Sequence, residues 1–144
     1  MKLTSFSDYT LRVLMYLAVN PQRLSTIQEI AGAYGISENH LMKVVHRLAR
    51  SGLIESVRGK GGGIRLALPP GQIRVGRVVR EAEGDGAIVE CLSAHNNCRI
   101  APNCKLAGVL VRAFDALYAS LDQYTLADLT ARPQPMMRQL GLGP

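Results

Sequence analysis

Apolar residues in the first fifty positions recur at the spacing of amphipathic helices. In residues 5–19 they are Leu11, Leu14, Met15, Ala18 and Val19. Spacings of three and four place such residues on one face of a helix. A second helix is predicted from the capping-box pattern at Thr26 to Gly35, and a third from Ser37 to about Arg50. Two short helices joined by a glycine-containing turn form a helix-turn-helix.

The pattern then changes to that of a β-hairpin. Leu53–Val57 and Ile64–Leu68 are strand-like, and the six residues between them contain four glycines and two cations. Three helices followed by a basic hairpin are the element order of a winged helix. We therefore predict a mainly α fold with a small β-hairpin wing.

Helical spacing returns in the second half of the chain. A short helix is predicted at Val75–Glu83 and a long one from Asn103 to about Gln123. The long helix carries an apolar stripe formed by Leu106, Leu110, Ala113, Phe114, Leu117 and Leu121. A stripe this long in a small protein predicts a dimerisation helix. One or two further helical turns are expected at 125–131, and residues 133–135 and 141–144 are expected to form a loose tail.

Three functional regions follow from these elements. Residues 1–70 are predicted to be a winged helix-turn-helix DNA-binding domain. Residues 71–102 are predicted to hold a connecting helix and a cysteine-containing loop. Residues 103–144 are predicted to form the dimerisation helix and the tail.

The charge is unevenly distributed between the two halves. Residues 1–80 contain twelve Lys/Arg against four Asp/Glu, and residues 81–144 contain five against seven. A basic amino-terminal half indicates a polyanionic partner, and with a helix-turn-helix that partner is double-stranded DNA. We find no Ser/His/Asp set, Cys/His dyad or pair of acids placed for catalysis, so the sequence does not predict an enzyme.

Polar side chains cluster on the predicted recognition helix and on the wing. The first turns of a recognition helix contact base edges, where Asn pairs with adenine, Lys with guanine and Glu with cytosine. Cations beside glycines at a wing tip contact phosphates or enter the minor groove. The predicted DNA-contacting residues are Thr26, Gln28, Ser37, Glu38, Asn39, His40, Lys43, Arg47, Arg58, Lys60 and Arg65.

All three cysteines of the chain, Cys91, Cys98 and Cys104, lie in one fourteen-residue segment. No apolar run reaches the ~20 residues that span a membrane, and the start does not have the pattern of a signal peptide. We therefore expect a cytoplasmic protein, in which an odd number of thiols favours metal or redox chemistry over disulfides. Structural zinc sites usually contain a more closely spaced cysteine pair, so the spacing favours an iron–sulfur cluster.

Three thiolates leave a fourth ligand to be found. His95, inside the segment, is the local candidate. Asp8 is the other, although its position at a helix start and Arg12 one turn later equally predict an exposed ion pair, which the residues alone favour. Asn103 fits the N-cap of the long helix, whose amino terminus would stabilise an anionic sulfur at Cys104.

Four stretches, Leu3–Tyr9, Ile36–Val45, Val57–Leu66 and Asp122–Leu129, resemble the winged-helix iron–sulfur repressors that include the NsrR and IscR types. The resemblance covers nearly the whole chain and is closest to the nitric-oxide-sensing NsrR type. It implies a homodimeric repressor that binds a pseudo-palindromic operator.

The resemblance also implies a ligand set. The three loop cysteines hold the cluster, with a 4Fe-4S form favoured over 2Fe-2S. The fourth ligand in the NsrR type is an aspartate in the first helix of the partner subunit, which maps onto Asp8. The IscR type instead uses a histidine shortly after the third cysteine, where this chain has Leu106, Ala107 and Gly108.

Three alternatives stay open at this point. One is a zinc- or redox-regulated repressor of the same fold that uses the cysteines and His95. Another is an IscR-like regulator of iron–sulfur status. The third is an iron–sulfur scaffold or small oxidoreductase, against which the basic amino-terminal half argues.

Overall fold

The computed structural model of the protein describes residues 2–84 and 89–143. Its helices are α1 (Ser5–Val19), α2 (Ile27–Tyr34), α3 (Glu38–Arg50), α4 (Val75–Glu83), α5 (Leu106–Leu121), α6 (Leu126–Leu129) and α7 (Pro133–Gln139). Its two strands are β1 (Ile54–Val57) and β2 (Gly63–Leu66). The predicted mainly α fold with one hairpin is confirmed. None of the helices in these residues is long and apolar enough to cross a membrane.

Local side chains set the ends of the first three helices. Thr4 caps α1 by accepting a hydrogen bond from the Ser7 N–H. The predicted capping box at Thr26 is present at α2, and Ser37 caps α3. Gly35, with φ +67°, ends α2 in the left-handed conformation that glycine adopts without strain.

The core lies where α1 meets α3, the hairpin and the carboxy-terminal helices. The buried residues of α3 are Leu41, Val44, Val45 and Leu48. They pack with residues of α1 such as Val13 and Leu14, which have no solvent exposure. Burial of this apolar surface is what holds the short helices in place.

The hairpin is antiparallel, with Ile54 opposite Leu66 and Val57 opposite Gly63. Ser25, just before α2, pairs with Ile64 through two backbone hydrogen bonds of 3.0 and 2.8 Å. The hairpin is thereby attached to the helix-turn-helix as well as to the core.

Two predictions for the second half of the chain are wrong. The long helix begins at Leu106, not Asn103, because Ala101–Asn103 forms a 3-10 turn that Cys104 ends. Residues 133–135, predicted as part of a loose tail, instead begin α7, which packs against α1. In the other predicted tail segment, 141–144, Leu142 is buried and Pro144 lies outside the described residues. Pro133 occupies the first helical position of α7. Met136 and Met137 of α7, and Leu140 just after it, pack against the core.

Candidate DNA interface and metal centre

The outer face of α3 is open to solvent. Ser37, Glu38, Asn39 and Lys43 are all exposed, as a recognition helix requires. At the start of the preceding helix, Gln28 is exposed, and Thr26 is exposed while its hydroxyl oxygen accepts the Glu29 N–H at 3.1 Å. These six side chains therefore lie where DNA could reach them.

A groove of about 760 Å³ separates α3 from the hairpin. Lys43 and Arg50 line it from α3, and Arg58 lines it from the start of the wing. The predicted contacts of the recognition helix and those of the wing thus share one basic surface. Arg50, which was not among the predicted contacts, lies seven residues after Lys43, and two helical turns place both cations on one face.

The groove also contains an exposed apolar side chain. Met42, on α3, is 55% exposed although it is large and hydrophobic. His46 of α3 lines the groove beside it. An exposed apolar side chain in a basic groove can contact a thymine methyl group.

Arg58 and Lys60 are exposed at the tip of the wing. Gly59 and Gly61 there have φ +96° and +77°, which bring the two strands into the turn without strain. Arg65 is also exposed, but its Nε donates to a Glu55 carboxylate oxygen at 3.0 Å across the hairpin. Arg58 and Lys60 are therefore better placed than Arg65 for phosphate contacts.

Two predicted DNA contacts on α3 are engaged with other helices. The His40 ring lies edge-on against Tyr9 of α1, with 4.7 Å between the ring centroids. The Arg47 guanidinium donates to the Glu81 carbonyl oxygen at 2.6 Å and lies over the Phe6 ring. These contacts join α3 to α1 and α4.

The cysteine segment is ordered by its own hydrogen bonds. A Glu90 carboxylate oxygen accepts the Asn97 N–H at 3.0 Å, and the Asn96 side-chain oxygen accepts the Cys98 N–H at 2.8 Å. The Cys104 sulfur accepts the N–H of Leu106, the first residue of α5, at 3.4 Å. Cys104 is thus at the amino terminus of α5 as predicted, although Asn103 does not cap that helix.

The three thiols are free and half-buried. Soft thiols of this kind on one segment fit an iron–sulfur cluster in their chemistry. Within the described residues, however, no three His, Cys, Asp or Glu side chains are gathered as a metal site. The three cysteines are therefore not themselves brought together in the single chain, and His95 is exposed.

Asp8 lies in the first turn of α1. Its carboxylate pairs with Arg12 through two contacts of 2.9 and 3.1 Å, the ion pair that the sequence predicted. The side chain is 49% exposed, so a second chain has access to it.

Helix α5 has no buried residue in the single chain. Of the predicted stripe, Leu110, Phe114, Leu117 and Leu121 are half-buried, and α5 packs against α4. Leu106, Val109, Ala113 and Ala116 are exposed at spacings of three and four. The helix therefore has a second apolar face, which is unpartnered in the single chain.

The sequence pattern of the Rrf2 family, described as an iron-dependent transcriptional regulator, matches residues 3–132. The chain belongs to the Rrf2 family. Among curated relatives, it is 51% identical to the HTH-type transcriptional regulator NsrR of Bacillus subtilis (strain 168), over 97% of each chain. It is 44% identical over the full length of both chains to NsrR of Halalkalibacterium halodurans.

Solved structures agree with this assignment. The fold matches T. potens IscR with a TM-score of 0.73 and 26% identity, covering 91% of this chain and 87% of that one. It matches CymR of B. subtilis with a TM-score of 0.70 and 28% identity, covering 91% and 97%. This Rrf2 protein is therefore a winged-helix, DNA-binding transcriptional repressor and not an enzyme.

Proposed function

We propose that this repressor is a homodimer whose operator affinity is controlled by an iron–sulfur cluster that responds to nitric oxide. The observation that carries the proposal is the set of three free, half-buried thiols on one segment between α4 and α5. Similarity to proteins named NsrR supports the same assignment. We expect the protein to act in the cytoplasm, where thiols stay reduced.

The proposed DNA contacts come from three elements that surround one groove. Lys43 and Arg50 of α3 and Arg58 of the wing line that groove. The other proposed contacts, exposed around it, are Thr26, Gln28, Ser37, Glu38, Asn39, Lys60 and Arg65. Because His40 and Arg47 are engaged with α1 and α4, we leave them out of this set.

Cys91, Cys98 and Cys104 are the proposed cluster ligands, and a 4Fe-4S cluster is favoured over 2Fe-2S. The amino terminus of α5 stabilises negative charge on the Cys104 sulfur, which already accepts a backbone N–H. The partner's Asp8 is the proposed fourth ligand. Its side chain is 49% exposed and is therefore accessible to a second chain.

Iron in the bound cluster supplies the centre with which nitric oxide reacts. A carboxylate is a harder ligand than a thiolate and matches that iron less well. Arg12 lies within ion-pair distance of Asp8, so it neutralises the carboxylate whenever Asp8 is not a ligand. Asp8 belongs to α1, and α1 packs on the recognition helix α3. A switch of the Asp8 carboxylate between the cluster and Arg12 therefore acts on α3 through α1.

The exposed apolar face of α5 supports a homodimer. A second copy of α5 would cover Leu106 and Val109, which are 53% and 48% exposed. A two-fold dimer would present two recognition helices to half-sites about one helical turn apart, roughly 34 Å, or a multiple of that distance.

The proposal is tested on anaerobically isolated protein. Its absorption spectrum, its iron-to-sulfide ratio and its binding to a duplex selected from a random-sequence library are measured before and after nitric oxide. We expect a cluster spectrum that nitric oxide alters, with loss of the retarded complex. A colourless protein that contains zinc would instead establish the zinc-regulated alternative.

Asp8→Ala tests the fourth ligand, and Asp115→Ala on α5 is its matched control. Asp8→Ala is expected to change the cluster spectrum and its nitric oxide response, and Asp115→Ala to leave both as in the wild type. An unchanged spectrum and response in Asp8→Ala would exclude Asp8 as a ligand.

A further inference from the structure

The last turn of α4 is bonded to both α1 and α3. The backbone carbonyl of Glu81 accepts the 2.6 Å hydrogen bond from Arg47 of α3. The carboxylate of Glu83 accepts a 2.8 Å hydrogen bond from the backbone N–H of Thr4, the N-cap of α1. Both hydrogen bonds therefore connect the last turn of α4 to the DNA-binding module.

Arg47 has contacts on two sides of its guanidinium. The guanidinium carbon lies 5.4 Å from the centroid of the Phe6 ring. Its Nη2 atom would be 3.8 Å from a Cβ atom added to Gly84, so it covers the residue that follows α4. The planar guanidinium donates only in fixed directions, and these contacts orient it towards α4.

The same end of α4 leads to the cysteine segment. Cys91 is eight residues beyond Glu83, and at its other end the segment continues from Cys104 into α5. Because α4 and α5 pack against each other, both ends of the segment are attached to one pair of helices. Among the described residues, helix α4 is the last α-helix before the cysteines, and Cys91 itself lies in a 3-10 turn, Glu90–Leu92.

We propose that Arg47 is a positioning residue, which transmits the state of the cysteine segment from α4 to the recognition helix, and not a DNA contact. The transmission part rests on the proposed function, because cluster ligation is the change that is transmitted. The contacts of Arg47 with Glu81 and Phe6 hold α3 against α4 and α1, and we call them the Arg47 tether. The tether does not depend on the proposed function.

The test compares Arg47→Met, which keeps an apolar stem but no donor, with Arg50→Met on the DNA-facing groove. Each protein is titrated with random-sequence duplex DNA over a range of salt concentrations. Loss of a phosphate contact lowers the salt slope by about 0.9. We expect this decrease for Arg50→Met and an unchanged slope for Arg47→Met. A decrease of that size in Arg47→Met would overturn the proposal.

Amide hydrogen exchange in the cluster-free proteins tests the Arg47 tether directly. The Gly84 N–H, bonded to the Arg80 carbonyl at 3.1 Å, is expected to exchange faster in Arg47→Met. The Asp122 N–H at the end of α5, bonded to the Tyr118 carbonyl, is expected to keep its wild-type rate. Arg47→Lys, which retains one cationic donor, is expected to restore part of the protection. Unchanged exchange at Gly84 would overturn the proposal.

Coupling is measured as the ratio of affinities of cluster-loaded and cluster-free protein for the duplex selected from the library. Arg47→Met is expected to reduce this ratio by about fivefold or more, within the range of ordinary allosteric coupling. If the ratio is one in the wild type, the proposed function fails, and the salt slope and Gly84 exchange alone decide the role of Arg47. A wild-type ratio that persists in Arg47→Met would overturn the transmission.

Discussion

A Glu83 carboxylate oxygen accepts the backbone N–H of Thr4 at 2.8 Å, although the two residues are 79 positions apart. Thr4 is the N-cap of α1, and Glu83 is the last residue of α4. This bond therefore connects the helix that carries Asp8 with the helix that precedes the cysteine segment.

Glu83→Ala removes that connection. We expect the free energy of unfolding to fall by about 1 kcal/mol, the usual contribution of one hydrogen bond. Glu55→Ala, which breaks the exposed pair with Arg65, should cost less, about 0.5 kcal/mol or below. Urea denaturation of both variants checks this. Equal costs would mean that the bond to Thr4 contributes no more than a surface ion pair.

Gly76→Ala is expected to destabilise the packing of α4 on α5. A Cβ atom at Gly76 would collide with the Asp122 carboxylate and lie 2.6 Å from the Tyr118 carbonyl oxygen. Such overpacking costs about 1–3 kcal/mol. Gly32→Ala in α2 is the control, since nothing lies within 4 Å of its added Cβ atom. There we expect a gain of up to about 1 kcal/mol from helix propensity. If urea denaturation shows no loss in the free energy of unfolding for Gly76→Ala, α4 does not pack this closely on the end of α5.

Tyr34 makes the free energy of unfolding depend on pH in the alkaline range. Its hydroxyl donates to the Arg12 carbonyl at 2.9 Å, and burial raises the pKa of Tyr34 to about 12. The unfolded chain loses this proton near pH 10. The folded state therefore binds more protons between about pH 10 and 12, and stability falls as the pH rises through that window.

Tyr34→Phe is expected to cost about 1 kcal/mol near neutral pH, because it removes the hydrogen bond. Its deficit relative to the wild type should shrink at about pH 11, where the wild type has lost part of the Tyr34 contribution. Urea midpoints at both pH values measure this. Tyr124→Phe, at a side chain that is 52% exposed, should show neither effect. A deficit that stays constant with pH would contradict the raised pKa.

Lys60→Ala is expected to weaken binding to all DNA sequences to a similar extent. Lys60 is exposed at the wing tip, where it is placed to contact phosphate. The salt slope should therefore fall by about one unit. Titrations on the library-selected duplex and on single-base variants of it measure this. An effect confined to one base pair would instead mean that Lys60 contacts a base edge.

Val109→Glu is expected to dissociate the proposed homodimer, because it places a charge on the exposed apolar face of α5. Val111→Glu is the matched control. Val111 has similar exposure, 41% against 48%, but residues two apart point to nearly opposite sides of a helix. Sedimentation equilibrium of cluster-free protein should show a lower mass for Val109→Glu alone. Equal behaviour of the two variants would mean that this face is not the dimer interface.

The elements of the DNA-binding half could be predicted almost residue by residue. Helix α1 has the predicted bounds, and the caps Thr26 and Ser37 are where the pattern placed them. The same holds for the bounds of α4, the helix that follows this half. Those signals lie within about four residues of each other, so tertiary context does not overrule them. Predictions failed where the signal was weaker. Prolines and glycines predicted a loose tail at 133–135 and 141–144, yet residues 133–139 form α7, whose Met136 and Met137 pack on the core.

The sequence by itself determined the order of helices and hairpin, the basic charge of the DNA-binding half and the grouping of three thiols on one segment. Each of these depends on neighbouring residues or on composition. The tertiary structure alone decided that Arg47 binds Glu81, that Gly76 faces Asp122 and that Lys43 and Arg58 share a groove. The direction of a long side chain depends on surfaces formed by distant parts of the chain, and no local pattern contains that information.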